Sequence, residues 1–403
     1  MLNIDYFWKR LVGAIIVTSA AVVSAQADEI IKLGLSVPLS GAGANWGIGS
    51  EWACKEAAKE VAQGGGVKVG GKVYNFTCIA YDNKYNAAEG TKVAQILLNR
   101  DGVKFISASI GTAPVRALQS LSEREGVLLF TVGWGSSLKG PKFPLTFTLQ
   151  NTPYELSYPL IRAVKEANPG VKTVALLNPN DATGQETEPI ARKAWAAAGI
   201  KVVSSDWYER GTTQFQPIAA KMAGQKPDVV DLGTAPPGDS GVVFKEIKVL
   251  GWNGVKVVPA GTSAEAMMKI GGDSVEGVYM GLSADFDGPE ATPVQRKLNV
   301  GMKAATGEPI NVIQIGGYDA VMALKAGMEA ANSLEPKAIA AVLPKIVFDI
   351  SYGKSAFGGK ATYGSPQHML VPVVITQVKG GKLVEVERAI PEELAKRLAS
   401  AKK

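Results

Sequence analysis

An apolar strand, a glycine-rich turn and a helix form a unit that recurs from residue 30 to residue 132, breaks off near residue 150 and starts afresh. In the first run, strands are expected over residues 30–38, 74–82, 105–109 and 127–132, with helices over 50–62, 87–99 and 113–125. After residues 147–150 the run resumes, with helices at 154–167, 184–198, 215–223 and 240–250 and strands at 171–177, 201–206, 228–232 and 255–259. Strands joined by helical crossovers of 10–15 residues are parallel to one another and covered on both faces. The chain is therefore read as α/β: two lobes of one architecture, each around a parallel central sheet.

Beyond Ser283 the sequence supplies helices at 295–306, 313–332 and 336–344, and a last strand at 369–378 before a charged tail. That remainder is too short for a third domain and most simply completes the first two. The expected division is residues 28–150 plus about 284–358 for lobe 1, 151–283 plus about 359–390 for lobe 2, and 391–403 as tail. A chain that returns between lobes makes a hinge and a cleft. Ligands of open parallel sheets sit at the carboxyl ends of the strands, where helix N-termini offer free N–H groups. The turns to watch are 40–49, 109–112, 133–137, 178–184, 233–240 and 261–263.

The first 27 residues stand apart. Lys9-Arg10 precede a 13-residue uncharged run, 11–23, and Ala25-Gln26-Ala27 supplies the small-x-small pattern of signal peptidase. About 20 apolar residues are needed to cross a bilayer, so a cleaved leader is expected, with cleavage after Ala27 and export to the periplasm. No cysteine at the junction points to a lipoprotein. Cys54 and Cys78 are the only cysteines; one disulfide or two buried thiols both fit.

Composition removes further classes. The 43 Lys+Arg against 37 Asp+Glu give a net charge of only +6, spread without a basic block, so nucleic acid is not an expected partner. Gly238-Asp239-Ser240-Gly241 resembles a serine-protease motif, but the one histidine, His368, follows it and the βα pattern is wrong for that fold. The expected role of Asp239 or Ser240 is a helix cap. Gly41-x-Gly43-x-x-x-Gly47 is one residue too long for a dinucleotide fingerprint, and Gly66-x-x-x-x-Gly71-Lys72 leads into a strand, as a hairpin turn would. One His and two Cys make a metal site improbable, and neither a cofactor nor an enzymatic activity is expected.

The stretch IKLGLSVPLSGAGANWGIG, residues 31–49, resembles the opening of the Leu/Ile/Val-type periplasmic solute-binding proteins, the type I substrate-binding proteins of ABC importers. The resemblance continues through residues 211–230, 317–331 and 375–386, so it spans nearly the whole mature chain. It implies two Rossmann-like lobes joined by three crossover segments, closing on a solute that passes unaltered to an inner-membrane permease, the binding protein acting as a monomer. Carried over by position, Trp46 forms an aromatic wall. Ser109, Gly111 and Thr112, with Trp134, Gly135 and Ser136, form a carboxylate site, Trp134 standing where a small residue is usual. Asp181, Thr183, Thr234, Ala235, Gly261 and Thr262 line the second lobe. Gly261-Thr262 falls where amino-acid binders often carry an acid for the ligand's ammonium, and none is present. Two tryptophans, an anion site and a missing acid favour an aromatic carboxylate over a branched-chain amino acid, unless Asp181 or Asp239 substitutes. An exported hydrolase using Ser240 and a lobe pair that signals to a membrane receptor are the competing readings.

Overall fold

A computed structural model describes residues 29–401; the expected leader and its cleavage site lie outside the described residues. The first run gives β1 (Glu29–Val37), α1 (Ala44–Gln63), β2 (Val67–Val69), β3 (Lys72–Asp82), α2 (Ala87–Gln95), β4 (Phe105–Ser109), α3 (Thr112–Glu125), β5 (Leu128–Thr131) and β6 (Thr146–Thr148). The second gives α4 (Pro153–Ala167), β7 (Thr173–Pro179), α5 (Ala182–Ala197), β8 (Lys201–Tyr208), α6 (Gln216–Gly224), β9 (Val229–Asp231), α7 (Pro237–Val249), β10 (Val255–Val258), α8 (Ala264–Gly271) and β11 (Tyr279–Met280). Then follow α9 (Pro293–Thr306), α10 (Gly316–Ala331), α11 (Pro336–Val342), β12 (Phe348–Ile350), β13 (Gly353–Ser355), β14 (Phe357–Gly358), α12 (Lys360–Tyr363), β15 (His368–Met369), β16 (Val373–Lys379), β17 (Lys382–Ala389) and α13 (Glu392–Ala401).

Two sheets organise these elements. One runs β14-β15-β6-β5-β4-β1-β3-β2, the other β17-β16-β11-β10-β9-β7-β8. At the centre of the first, β1 lies parallel to both β3 and β4. Its residues Leu33, Leu35 and Val37 are fully buried, as befits a strand covered on both faces. α9 and α10 pack on this sheet through Leu298, Met302, Tyr318 and Leu324. The chain passes between the sheets three times: after β6, after β11 and between β15 and β16.

The structure corrects several expectations. The strand expected over 369–378 is two strands in different sheets: His368 pairs with Thr148, whereas Val373 pairs with Ala389. Pro372 lies between them, and a residue without an N–H cannot continue a ladder. The third crossing therefore falls at 370–372, not near 359. The turn expected to run through 49 ends sooner, because α1 begins at Ala44. Its glycines serve close packing rather than a loop: a Cβ on Gly47 would stand 1.9 Å from the Pro38 carbonyl oxygen. The second lobe repeats the device, with Gly184 over the Pro179 oxygen at 2.1 Å. Helices α8 and α13 and strand β17 were not expected. The Gly380-Gly381 pair before β17, both at positive φ, is a hairpin signal that identifies it. Neither Asp239 nor Ser240 caps α7; Pro236 holds that position. Cys54 on α1 and Cys78 on β3 are joined, with the sulfurs 1.97 Å apart, which decides for the disulfide.

Candidate functional site

The turns leaving β1, β3, β4 and β5 meet those leaving β7, β9 and β10 around a narrow cavity. Three rings line it, Trp46, Tyr85 and Trp134, together with the aliphatic Ile110, Val132, Ala260 and Ile313. Its hydroxyls are those of Thr183, Thr234, Thr262 and Tyr85, and Gly111 and Gly133 bring backbone to the wall. No carboxylate, ammonium or guanidinium lines it. A larger groove lined by Trp252, Lys256 and Glu276 takes residues of the second lobe alone and is not the cleft.

Six of the residues expected from sequence thus share one wall: Trp46, Gly111, Trp134, Thr183, Thr234 and Thr262. Gly111 reaches φ 93°, a backbone that disfavours any side chain, and a Cβ there would crowd Pro114 and Tyr85. The other seven stand behind or beside the lining. Ser109 is fully buried and donates to the Phe130 carbonyl at 3.1 Å. Thr112 Oγ1 accepts the Gly135 N–H at 3.2 Å, and Ser136 donates to Glu186 at 3.2 Å. Ala235 packs in the core of the second lobe. A Cβ on Gly261 would meet Met280 at 2.7 Å. Asp181 caps α5, accepting the N–H groups of Thr183 and Gly184 at 3.0 Å each.

The two lobes are closed on each other. Trp46 Nε1 donates to Thr262 Oγ1 at 3.1 Å, and the Thr183 hydroxyl donates to Thr112 Oγ1 at 2.9 Å. Glu186 reaches across from α5 to accept the Ser137 N–H at 2.9 Å and hydroxyl at 2.8 Å, and it also pairs with Arg116.

Two residues escaped the sequence reading. Tyr85 sits at φ 57° after Lys84 at φ 46°, a left-handed pair of non-glycine residues that carries backbone strain. Asp82 and Asn83 hold that turn by accepting the N–H groups of Lys84 and Tyr85 at 2.8 and 2.9 Å. Arg210 places its guanidinium 4.4 Å from the Tyr85 ring centre, across the cleft, and donates to Asp181 at 2.6 Å. The Asp82-Asn83 pair at a strand end was the available signal for Tyr85; Arg210 had none.

Both acids that could have replaced the missing ammonium partner are engaged. Asp181 serves Arg210 and its helix cap. Asp239 accepts the Tyr208 hydroxyl at 2.8 Å, and burial pushes its carboxyl above the usual range. His368 is no partner for Ser240. It lies 3.7 Å from Glu155 behind the cleft, and burial lowers it to about 4. Lys139, buried beside it, donates to Thr148 at 2.9 Å and is lowered to about 8 by the same cause. Among the described residues no group of His, Cys, Asp and Glu is placed to hold a metal ion.

Two α/β lobes shut on an uncharged, ring-lined cavity define a class that encloses small solutes. The chain belongs to the periplasmic binding protein family, whose model matches residues 30–382. The proteins it is similar to are solute-binding proteins rather than enzymes. It is 25% identical over 364 residues to the leucine-, isoleucine-, valine-, threonine- and alanine-binding protein of Pseudomonas aeruginosa, covering 87% of this chain and 91% of that one. Among solved structures, the leucine-binding protein of Thermotoga maritima matches with a TM-score of 0.75 at 18% identity, over 90% of this chain and 100% of that one. An ABC-transporter solute-binding protein of R. palustris in complex with benzoate matches with a TM-score of 0.75 at 20% identity, over 90% and 97%.

Proposed function

We propose that the protein captures a small aromatic carboxylate between its lobes and delivers it, unaltered, to an inner-membrane ABC permease. The observation that carries this reading is the lining: three rings, four hydroxyls counting that of Tyr85, and no carboxylate. An α-ammonium enclosed there would lack a counter-charge, at a cost of several kcal/mol. A ligand carboxylate asks only for N–H and hydroxyl donors, and Gly111, at the N-cap of α3, brings backbone to the wall at the positive end of a helix. Trp46, Tyr85 and Trp134 supply flat faces for a ring. The benzoate held by the R. palustris neighbour belongs to the same ligand class.

In this reading Trp46, Gly111, Thr112, Trp134, Gly135, Thr183, Thr234 and Thr262 form the site. The mature chain starts at Asp28 after export and acts as a monomer, its first lobe being residues 28–150 with 284–369 and its second 151–283 with 373–390. The amino-acid alternative draws on the curated relatives, which include the Leu/Ile/Val/Thr-binding protein of Salmonella typhimurium.

A thermal-shift panel of aromatic acids and amino acids separates the two. A ligand at 100 times its Kd stabilises the folded state by about 2.7 kcal/mol, which is a readable rise in Tm. Stabilisation by benzoate-type acids is the expected result. Stabilisation by leucine or valine with no response to aromatic acids would establish the alternative instead.

A further inference from the structure

Thr234 lies in the turn between β9 and α7, only 6% exposed, on the wall of the cavity. Its turn is pinned from both sides: Asp231 accepts the Gly233 N–H at 2.8 Å, and Asn178 accepts the Thr234 N–H at 3.2 Å. The other three hydroxyls of the lining are committed, Thr262 to Trp46, Thr183 to Thr112 and Tyr85 to Thr183. The Thr234 hydroxyl is buried with no hydrogen-bond partner. A buried hydroxyl left unpaired is costly, and one held on a pinned turn beside a ligand cavity is a group waiting for the ligand.

We infer that the ligand carries a second polar group, a hydroxyl on its ring, that pairs with Thr234 Oγ1. This rests on the aromatic-acid reading above. A threonine hydroxyl both donates and accepts, as a ring hydroxyl does. A second carboxylate or an amine in that place would meet a wall without charge. The solute is a monocarboxylate with a hydroxylated ring, and Thr234 selects it over the plain acid.

The test is titration calorimetry of the mature protein with benzoate, 3-hydroxybenzoate and 4-hydroxybenzoate, on the wild type, Thr234→Val and Thr234→Ser. At least one hydroxylated acid is expected to bind the wild type roughly ten- to hundred-fold tighter than benzoate. Thr234→Val reduces that ratio to about threefold or less, and Thr234→Ser restores most of it. Equal binding of all three acids by the wild type, or an unchanged ratio in Thr234→Val, overturns the inference and leaves the aromatic-acid reading standing. No binding of any of the three, with binding of an amino acid, overturns both.

Discussion

His368, the single histidine of the chain, is neutral at physiological pH because its surroundings do not support a charge. Burial lowers it to about 4; Glu155 and Glu393 favour the proton and Lys139 opposes it. Unfolded, the imidazole takes its proton near pH 6.5, so between about 6.5 and 4 the unfolded chain binds a proton that the native chain refuses. The His368 contribution to stability therefore falls as pH drops through that window, by on the order of 3 kcal/mol. The imidazole resonance is expected to titrate near pH 4, and between pH 7 and pH 5 the wild type is expected to lose more stability in urea than His368→Gln does. An imidazole titrating near 6.5 would refute this. The same residue marks how far side-chain roles could be read from sequence. The turns that hold Trp46, Gly111, Trp134 and Thr262 were legible because each follows an apolar strand, and the resemblance to the binding-protein family supplied the residues themselves. Tyr85 was not, because its place depends on two side chains, those of Asp82 and Asn83, bending the backbone into a left-handed turn. Arg210 was less legible still: its partner Asp181 comes near only through the pairing of β7 with β8, a long-range register.

Among elements, α1 and β3 are tied covalently as well as by packing. The Cys54–Cys78 bond closes a loop with a sequence separation of 24, and loop-closure entropy assigns such a bond about 3 kcal/mol. Cys54→Ala with Cys78→Ala is expected to lower unfolding stability by about that much in urea. Ligand affinity stays within about twofold of wild type, since neither cysteine lines the cavity. A double variant as stable as the oxidised protein would show the bond to be energetically idle. Element boundaries were misread where one residue type had two physical uses. Glycines 41, 43, 47 and 49 read as a turn, yet Gly47 and Gly49 let α1 press against Pro38 and Gln314. Residues 369–378 read as one strand because the apolar run is continuous, while Pro372 cuts the ladder and sends the halves to different sheets.

At the level of the whole molecule, the closed arrangement is held by bonds made directly between the lobes. Glu186 is the densest of these contacts. One carboxylate on α5 accepts from Ser136, from the N–H and hydroxyl of Ser137, and from Arg116. Arg116 is half exposed, so that pair alone contributes at most about 1 kcal/mol; the charge-assisted bonds to the serines contribute more. Replacing the carboxylate by an amide keeps the shape and removes the charge, which costs the closed state about 2 kcal/mol and shifts the balance between open and closed roughly 30-fold. A ligand that binds only between closed lobes must then repay that shift, so its affinity falls by up to the same factor, with the loss appearing in the dissociation rate. Small-angle scattering of ligand-free Glu186→Gln should give a larger radius of gyration than wild type, and saturating ligand should bring the two together. High salt should move ligand-free wild type in the direction of the variant, because the bonds it weakens are the charged ones. Superimposable profiles for wild type and Glu186→Gln, with and without ligand, would mean that the clasp holds nothing and that closure is set by packing around Trp46 and Thr183 alone.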